Sequence, residues 1–154
     1  VLSTEAAAPR ELAFYNIHTK EFVEACYYAN GEYLPNGLSR INRVLRDHRT
    51  GDTTPIDIQL LDALYGIRCN LGDCGTFSVI SGYRSPATNA MLRRVTSGVA
   101  KNSFHMQGKA IDIRLRGCPT SKLRDTCIQA RAGGVGYYPK SNFVHVDVGP
   151  VRTW

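Results

Sequence analysis

The sequence predicts an α+β fold, in which helices pack on one side of a small mixed sheet that is mostly antiparallel. Two patterns indicate this fold. Apolar residues recur at helical spacing in residues 37–49 and 55–71, and they alternate at strand spacing in residues 110–115 and 143–148. Short strands and amphipathic helices therefore follow one another along the chain.

The predicted elements begin with a hairpin, whose strand-like residues 12–17 and 21–28 flank a short turn. An amphipathic helix follows at residues 37–49. Pro55 suits the first turn of the next helix, at residues 55–71. The later elements are a strand at 77–80, a helix from 86 to about 96, a strand at 110–115, a helix from 120 or 121 to 132, and strands at 135–138 and 143–148.

Length and composition describe one globular domain. The chain has 154 residues and a net charge of +6. We expect a flexible mature N-terminus at residues 1–11, left after removal of an export signal, and a single domain at residues 12–154. Lys and Arg form no dense run with interleaved aromatics, so nucleic acid is not the expected partner, whereas an anionic polymer suits the charge. No stretch approaches the length of a membrane span.

Two strand patterns carry metal-ligating side chains. In the first, Ile111 and Ile113 point to one face and Asp112 to the other, and His105 lies on the loop that leads into this strand. In the second, His145 and Asp147 occupy the face opposite a row of valines. If both strands share a sheet, two imidazoles and a carboxylate converge, which is the ligand set of an open zinc site. The alternative is that these histidines are hydrogen-bonded structural residues.

Four motifs in order carry a resemblance to a known family. They are Ser81-Gly82-Tyr83-Arg84-Ser85, the segment from His105 to Asp112, Gly133-Gly134-Val135-Gly136-Tyr137-Tyr138-Pro139, and Phe143-Val144-His145-Val146-Asp147. Together they resemble the YcbK/MepK-type murein endopeptidases, within the zinc peptidase group that includes D-Ala-D-Ala carboxypeptidases and hedgehog-like domains. The likeness extends over residues 12–154.

The resemblance implies a hedgehog/D-Ala-D-Ala peptidase-like fold and zinc at His105, Asp112 and His145. It also implies a periplasmic, monomeric enzyme that hydrolyses cross-linked peptides of peptidoglycan, with meso-diaminopimelate in 3-3 or 4-3 cross-links. Three alternatives stay open: a D,D- or L,D-carboxypeptidase, a zinc-containing module that binds peptidoglycan without cutting it, and a basic structural or nucleic-acid-binding domain.

The resemblance also implies roles around the metal. Arg84 corresponds to a family arginine that faces the reacting carbonyl, so we expect it to stabilise the oxyanion. Ser103 matches a position near the substrate, and we expect Tyr83 and Tyr137 to contact substrate as well.

The family's general base precedes its second zinc histidine, where this chain has Asn142 and Phe143. We therefore expect Asp147 to act either as the base or as a residue that orients a ligand. The alternative is that Asp147 forms a salt bridge and has no part in the chemistry. If Arg84 is structural, Tyr83, Tyr137 and Tyr138 are the next candidate oxyanion donors.

Cysteine spacing leaves two interpretations. Five cysteines, at positions 26, 69, 74, 118 and 127, suit either five reduced thiols or two short-loop disulfides. The resemblance to exported enzymes favours an oxidising compartment. We therefore expect bridges Cys69–Cys74 and Cys118–Cys127, with Cys26 free.

Overall fold

The structure is a computed structural model that describes residues 7–72 and 75–154. Over these residues, eight strands and four α-helices form the predicted α+β fold. No helix in the described ranges is long and apolar enough to cross a membrane. The elements in chain order are β1 (Arg10–Asn16), β2 (Phe22–Ala29), β3 (Glu32–Tyr33), α1 (Pro35–Val44), α2 (Ile58–Asn70), β4 (Phe77–Ser81), α3 (Pro86–Val95), a 3-10 helix (Phe104–Gln107), β5 (Ala110–Leu115), α4 (Thr120–Ala130), β6 (Gly134–Tyr138), β7 (Phe143–Asp147) and β8 (Arg152–Thr153).

The described strands form one sheet in the order β3-β2-β1-β4-β5-β7-β6-β8. The β1–β4 and β6–β8 pairs are parallel, and the other neighbouring strands are antiparallel. The predicted mixed, mostly antiparallel sheet is therefore confirmed. The two-residue strands β3 and β8 extend it at its edges, and both were absent from the prediction.

Strand alternation separates the core from the site. Ile111 and Ile113 of β5 and Val144 and Val146 of β7 are almost fully buried and belong to one hydrophobic cluster. Helix α1 contacts β1 and β2, while α4 contacts α2 and strands β5, β6 and β7. Because side chains alternate between faces along a strand, the polar residues of β5 and β7 face away from this cluster.

Several element boundaries differ from the prediction by a residue or more, and those of α1, α2 and β1 have an identifiable cause or consequence. Helix α1 ends at Val44 rather than at residue 49, because the Asp47 side chain accepts the N–H groups of Arg49 and Thr50 and closes a turn. Helix α2 begins at Ile58, where the Asp57 side chain accepts a backbone N–H and caps the helix. Strand β1 begins at Arg10, so it includes the end of the expected flexible segment 1–11, of which residues 1–6 lie outside the described ranges.

The cysteines do not show the expected bridge in the second half of the chain. Cys118 and Cys127 are both free thiols, as is Cys26. Cys127 is 1% exposed, and this burial raises the pKa of its thiol to about 12. The expected Cys69–Cys74 bridge involves Cys74, which lies outside the described residues.

Candidate metal centre

The sheet register brings the three predicted metal ligands together. Asp112 on β5 lies directly opposite His145 on β7 in the antiparallel ladder. His105 lies in the 3-10 helix that precedes β5, where the side chain of Ser103 accepts its N–H. The candidate ligand atoms of the three residues all lie within 4.8 Å of one another. A short helix and two adjacent strands therefore build one site.

The hydrogen bonds of the two imidazoles fix which nitrogens face the site. His105 Nδ1 is 2.8 Å from the Gly82 carbonyl oxygen, and His145 Nε2 is 2.8 Å from Asp147 Oδ2. Both partners only accept, so these two nitrogens carry the hydrogens. The other nitrogens, His105 Nε2 and His145 Nδ1, then lie 3.3 and 2.9 Å from Asp112 Oδ1.

When both imidazoles are neutral, three acceptor atoms therefore converge without a proton between them. A cation shared by His105 Nε2, Asp112 Oδ1 and His145 Nδ1 satisfies all three, and the outward hydrogen bond on each imidazole is typical of metal-ligating histidines. Two imidazoles and one carboxylate are ligands that zinc accepts. The donor set thus fits the expected metal.

The electrostatics of the site favour positive charge. Burial alone raises the pKa of the Asp112 carboxyl, but His105 and His145 outweigh it and hold this pKa well below its usual range. Burial alone lowers the pKa of His145, but hydrogen bonds to Asp112 and Asp147 raise it to about 9. The cluster therefore attracts either protons or a metal ion at neutral pH.

Asp147 lies behind the site, with no exposed surface. Its Oδ1 accepts the N–H groups of Gly134 and Gly149, both at 2.9 Å. Arg152 donates to both oxygens, and His145 donates to Oδ2. Five hydrogen bonds occupy the lone pairs of this carboxylate, so none is free to accept a further proton. This geometry favours the orienting role over the general-base role.

Arg84 lies in the turn after β4 and lines the same cavity as His105 and Asp112. Its backbone N–H donates to the His105 carbonyl oxygen at 3.0 Å. Its Nη1 donates to Oδ1 of Asn89, which is itself buried. Burial lowers the pKa of the Arg84 guanidinium, and the negative charge of Asp112 opposes this shift. A guanidinium nevertheless stays charged at neutral pH. A fixed positive charge therefore lies beside the three ligands.

The site opens into a cavity of about 440 Å³ that is lined by both polar and aromatic side chains. Arg84, Asn102 and Ser103 contribute polar groups to this lining. Tyr138, Phe143 and Trp154 contribute aromatic rings.

Two expected substrate contacts lie elsewhere. Tyr83 and Tyr137 pack against the hydrophobic cluster, and neither lines the cavity. Tyr137 pairs with Val144 in the β6–β7 ladder and thus shares its core face, where Arg124 covers its ring. The neighbouring Tyr138 pairs with Phe143 on the site face. Tyr137 therefore lies on the core face of β6, and Tyr138 lies on the face of the candidate site.

Three residues beside the site were missed from the sequence. Arg152 and Trp154 come from β8 and the residue after it, and a two-residue strand has no periodicity to detect. Asn89 lies in α3, one turn from Ser85, which caps that helix. The available signal was its spacing of four residues from Ser85. Residues four apart lie on one helix face, so Asn89 lies on the side of the turn that carries Arg84.

An α+β domain with two histidines and an aspartate converging at the mouth of a cavity, beside a fixed arginine, has the architecture of a metallopeptidase. Three candidate ligand atoms, a neighbouring guanidinium and an open cavity are all present.

Comparison with known proteins gives the family. The family model described as "Peptidoglycan L,D-endopeptidase MepK" matches residues 4–154. The chain is 47% identical over 147 residues to the probable peptidoglycan L,D-endopeptidase MepK of Haemophilus influenzae, covering 95% of this chain and 79% of that protein. It is 43% identical over 146 residues to peptidoglycan L,D-endopeptidase MepK of Escherichia coli K12, covering 95% and 80%. No solved structure matches the chain. The chain belongs to this peptidoglycan endopeptidase family and is a metallopeptidase.

Proposed function

We propose that the protein is a zinc-dependent peptidoglycan endopeptidase that hydrolyses meso-diaminopimelate-containing cross-links, of the 3-3 type, the 4-3 type or both. The observation that carries the proposal is the convergence of His105 Nε2, Asp112 Oδ1 and His145 Nδ1 beside the Arg84 guanidinium. The relatives named L,D-endopeptidases support the choice of bond. The net charge of +6 suits an anionic polymer in the periplasm.

His105, Asp112 and His145 would hold the zinc. When bound, zinc supplies a Lewis acid that polarises the amide carbonyl and activates the attacking water. Asp112 contributes the negative charge among the ligands. The Gly82 carbonyl and Asp147 keep the two imidazoles turned so that their lone pairs face the metal. These roles need no movement of the sheet.

Arg84 would bind the carbonyl oxygen of the cleaved amide and stabilise its developing negative charge. Asn89 holds the guanidinium, which limits its reorganisation during the reaction. The Ser103 side chain accepts the N–H of His105 and also lines the cavity. It would therefore position the 3-10 helix that carries His105 beside the bound substrate. Asp147 orients His145 and does not accept the proton of the attacking water.

Digestion of defined dimeric muropeptides, with products weighed by mass spectrometry, tests the proposal. We expect 3-3 or 4-3 dimers to be cut into monomers, activity to be lost with a chelator, and activity to return with zinc. The variant His105→Ala should lose the metal and the activity together, whereas His18→Ala, which changes a histidine outside the cavity, should keep both. Trimming of monomers alone would indicate a carboxypeptidase. Binding to purified cell wall without any cleavage would indicate a binding module.

A further inference from the structure

Arg152 makes a two-pronged contact with Asp147 behind the metal centre. Its Nη1 donates to Oδ1 at 3.0 Å and its Nη2 donates to Oδ2 at 2.8 Å. Asp147 is completely buried, and the Arg152 side chain is 41% exposed. A planar guanidinium bonded to both carboxylate oxygens fixes the plane of the carboxylate as well as its position.

Two glycines, Gly134 and Gly149, leave space for the side chains around this contact. A Cβ at residue 134 would lie 2.3 Å from Arg152 Nη1 and 2.7 Å from Asp147 Oδ2. A Cβ at residue 149 would lie 2.5 Å from the Phe104 ring. Both glycines also donate their N–H groups to Asp147 Oδ1. The absence of two side chains therefore makes room for the guanidinium and for the ring of Phe104.

Two aromatic rings complete the surroundings of Arg152. Its guanidinium carbon lies 4.9 Å from the centroid of Trp154 and 5.6 Å from that of Phe104. Phe104 precedes the candidate ligand His105, and the Trp154 ring lies 5.2 Å from the ring of the candidate ligand His145. Arg152 thus connects β8, the 3-10 helix and the carboxylate that holds His145.

We propose that Arg152 is a positioning residue that sets the metal affinity of the site by holding Asp147, and through it His145. Asp147 is the acceptor for His145 Nε2, so its plane determines where Nδ1 on the opposite side of the ring points. Without the guanidinium, two of the five contacts that fix the carboxylate are lost, and the imidazole is no longer held at one angle. The proposal rests on the proposed function in one respect, that the site binds zinc.

Competition with a chromophoric chelator measures the zinc affinity of each variant without any reference to activity. We expect Arg152→Ala to bind zinc roughly ten- to a hundred-fold more weakly, the usual effect of removing a residue that supports a ligand. Arg152→Lys should recover only part of this loss, because an ammonium cannot contact both oxygens in one plane. The matched control is Arg116→Ala, an exposed arginine stacked on Tyr15 outside the cavity, which should bind like the unchanged protein.

A double-mutant cycle separates a role through Asp147 from a general structural role. In an Asp147→Asn background, adding Arg152→Ala should weaken zinc binding by less than about two-fold, since an amide has a single acceptor oxygen and the two-pronged contact is already lost. Gly134→Ala gives a second route, because its methyl group would lie against both Arg152 Nη1 and Asp147 Oδ2 and so disturbs their contact while both side chains are retained. We expect it also to weaken zinc binding.

Two results overturn the proposal. One is folded Arg152→Ala with unchanged zinc affinity, and the other is full additivity of the Arg152 and Asp147 changes. If Arg152→Ala does not fold, Arg152→Lys and Gly134→Ala decide, and unchanged affinity in both overturns it. Failure of the unchanged protein to bind zinc would instead refute the proposed function, so the two failures are distinguishable.

Discussion

Arg84 reaches the cavity from a turn whose position is fixed on both sides. Its own N–H donates to the His105 carbonyl, and the N–H of the preceding Tyr83 donates to the Leu45 carbonyl at 2.7 Å. Asn89 holds the guanidinium and is anchored in turn to the Ala100 carbonyl. A charge held by the fold before substrate arrives costs little reorganisation in the reaction.

For this reason we expect Arg84→Ala to lower kcat by roughly a hundred-fold or more, the usual effect of losing one oxyanion donor. Zinc content and the thermal midpoint should change little, because Arg84 is not a ligand. Arg84→Lys should restore part of the rate. Turnover on a dimeric muropeptide, with zinc measured on the same samples, checks this prediction.

The control is Arg93→Ala, which removes an exposed arginine from the neighbouring helix α3 and should leave kcat unchanged. If Arg84→Ala keeps near-normal turnover and loses only stability, Arg84 is structural. Tyr138, which lines the cavity, would then be the next donor to test.

The sequence located the candidate ligands because their signal is local. Ile111 and Ile113 alternate with Asp112, so the face of Asp112 could be inferred without knowing its partner strand. Tyr137 and Tyr138 are adjacent aromatic residues, so local alternation does not show which of them faces the core, and only the pairing of β6 with β7 distinguishes them. The contact between Asp147 and Arg152 depends on the pairing of β8 with β6. A strand of two residues has no alternation from which this pairing could be predicted.

At the scale of elements, the loop after α1 supports the turn that carries Arg84. Asp47 is 2% exposed, and its Oδ1 accepts the N–H groups of Arg49 and Thr50. Its Oδ2 accepts the N–H of Ser85, the residue that caps α3. One side chain therefore joins the end of α1 to the start of α3, and it explains why α1 stops short of the predicted length.

We expect Asp47→Asn to lower the free energy of unfolding at pH 7 by about 1–3 kcal/mol, because a buried charged acceptor is replaced by an amide. Burial raises the pKa of Asp47, but contacts from Thr88, Ser85 and Arg49 outweigh this and hold it well below its ordinary value of 3.8. A lowered pKa stabilises the fold above that ordinary value, and the contribution fades as the pH falls toward the folded-state pKa.

The difference in stability between the unchanged protein and Asp47→Asn should therefore shrink as the pH falls below about 4. Urea unfolding at a series of pH values measures it. Asp52→Asn, in the same loop but exposed, is the matched control and should have little effect at any pH. A difference that is constant with pH would show that the charge of Asp47 does not contribute.

At the scale of the whole molecule, zinc binding and folding should be coupled. The candidate ligands come from the 3-10 helix, β5 and β7, so the site exists only when these are assembled. At a free zinc concentration of 100 times the dissociation constant, binding should add about 2.7 kcal/mol to the free energy of unfolding. We expect the thermal midpoint to rise with zinc and to fall with a chelator.

Calorimetry of the protein with and without zinc measures this shift. The variant His105→Ala should unfold at the same temperature in both conditions, whereas His48→Ala, which changes a histidine stacked on His18 outside the cavity, should retain the shift. An equal shift in His105→Ala would mean that zinc stabilises the protein from another location.

The pairing of Asp112 with His145 lies near the centre of the eight-stranded sheet. Segments with such buried neighbours open only when the whole domain unfolds, so the amide protons of β5 should be among the slowest to exchange with deuterated solvent. Asp112 and His145 therefore cannot separate by local fraying, and a metal ion must enter and leave through the cavity while the strands stay paired. The rate of metal loss to a chelator should then be set by access from solvent and not by the rate of unfolding.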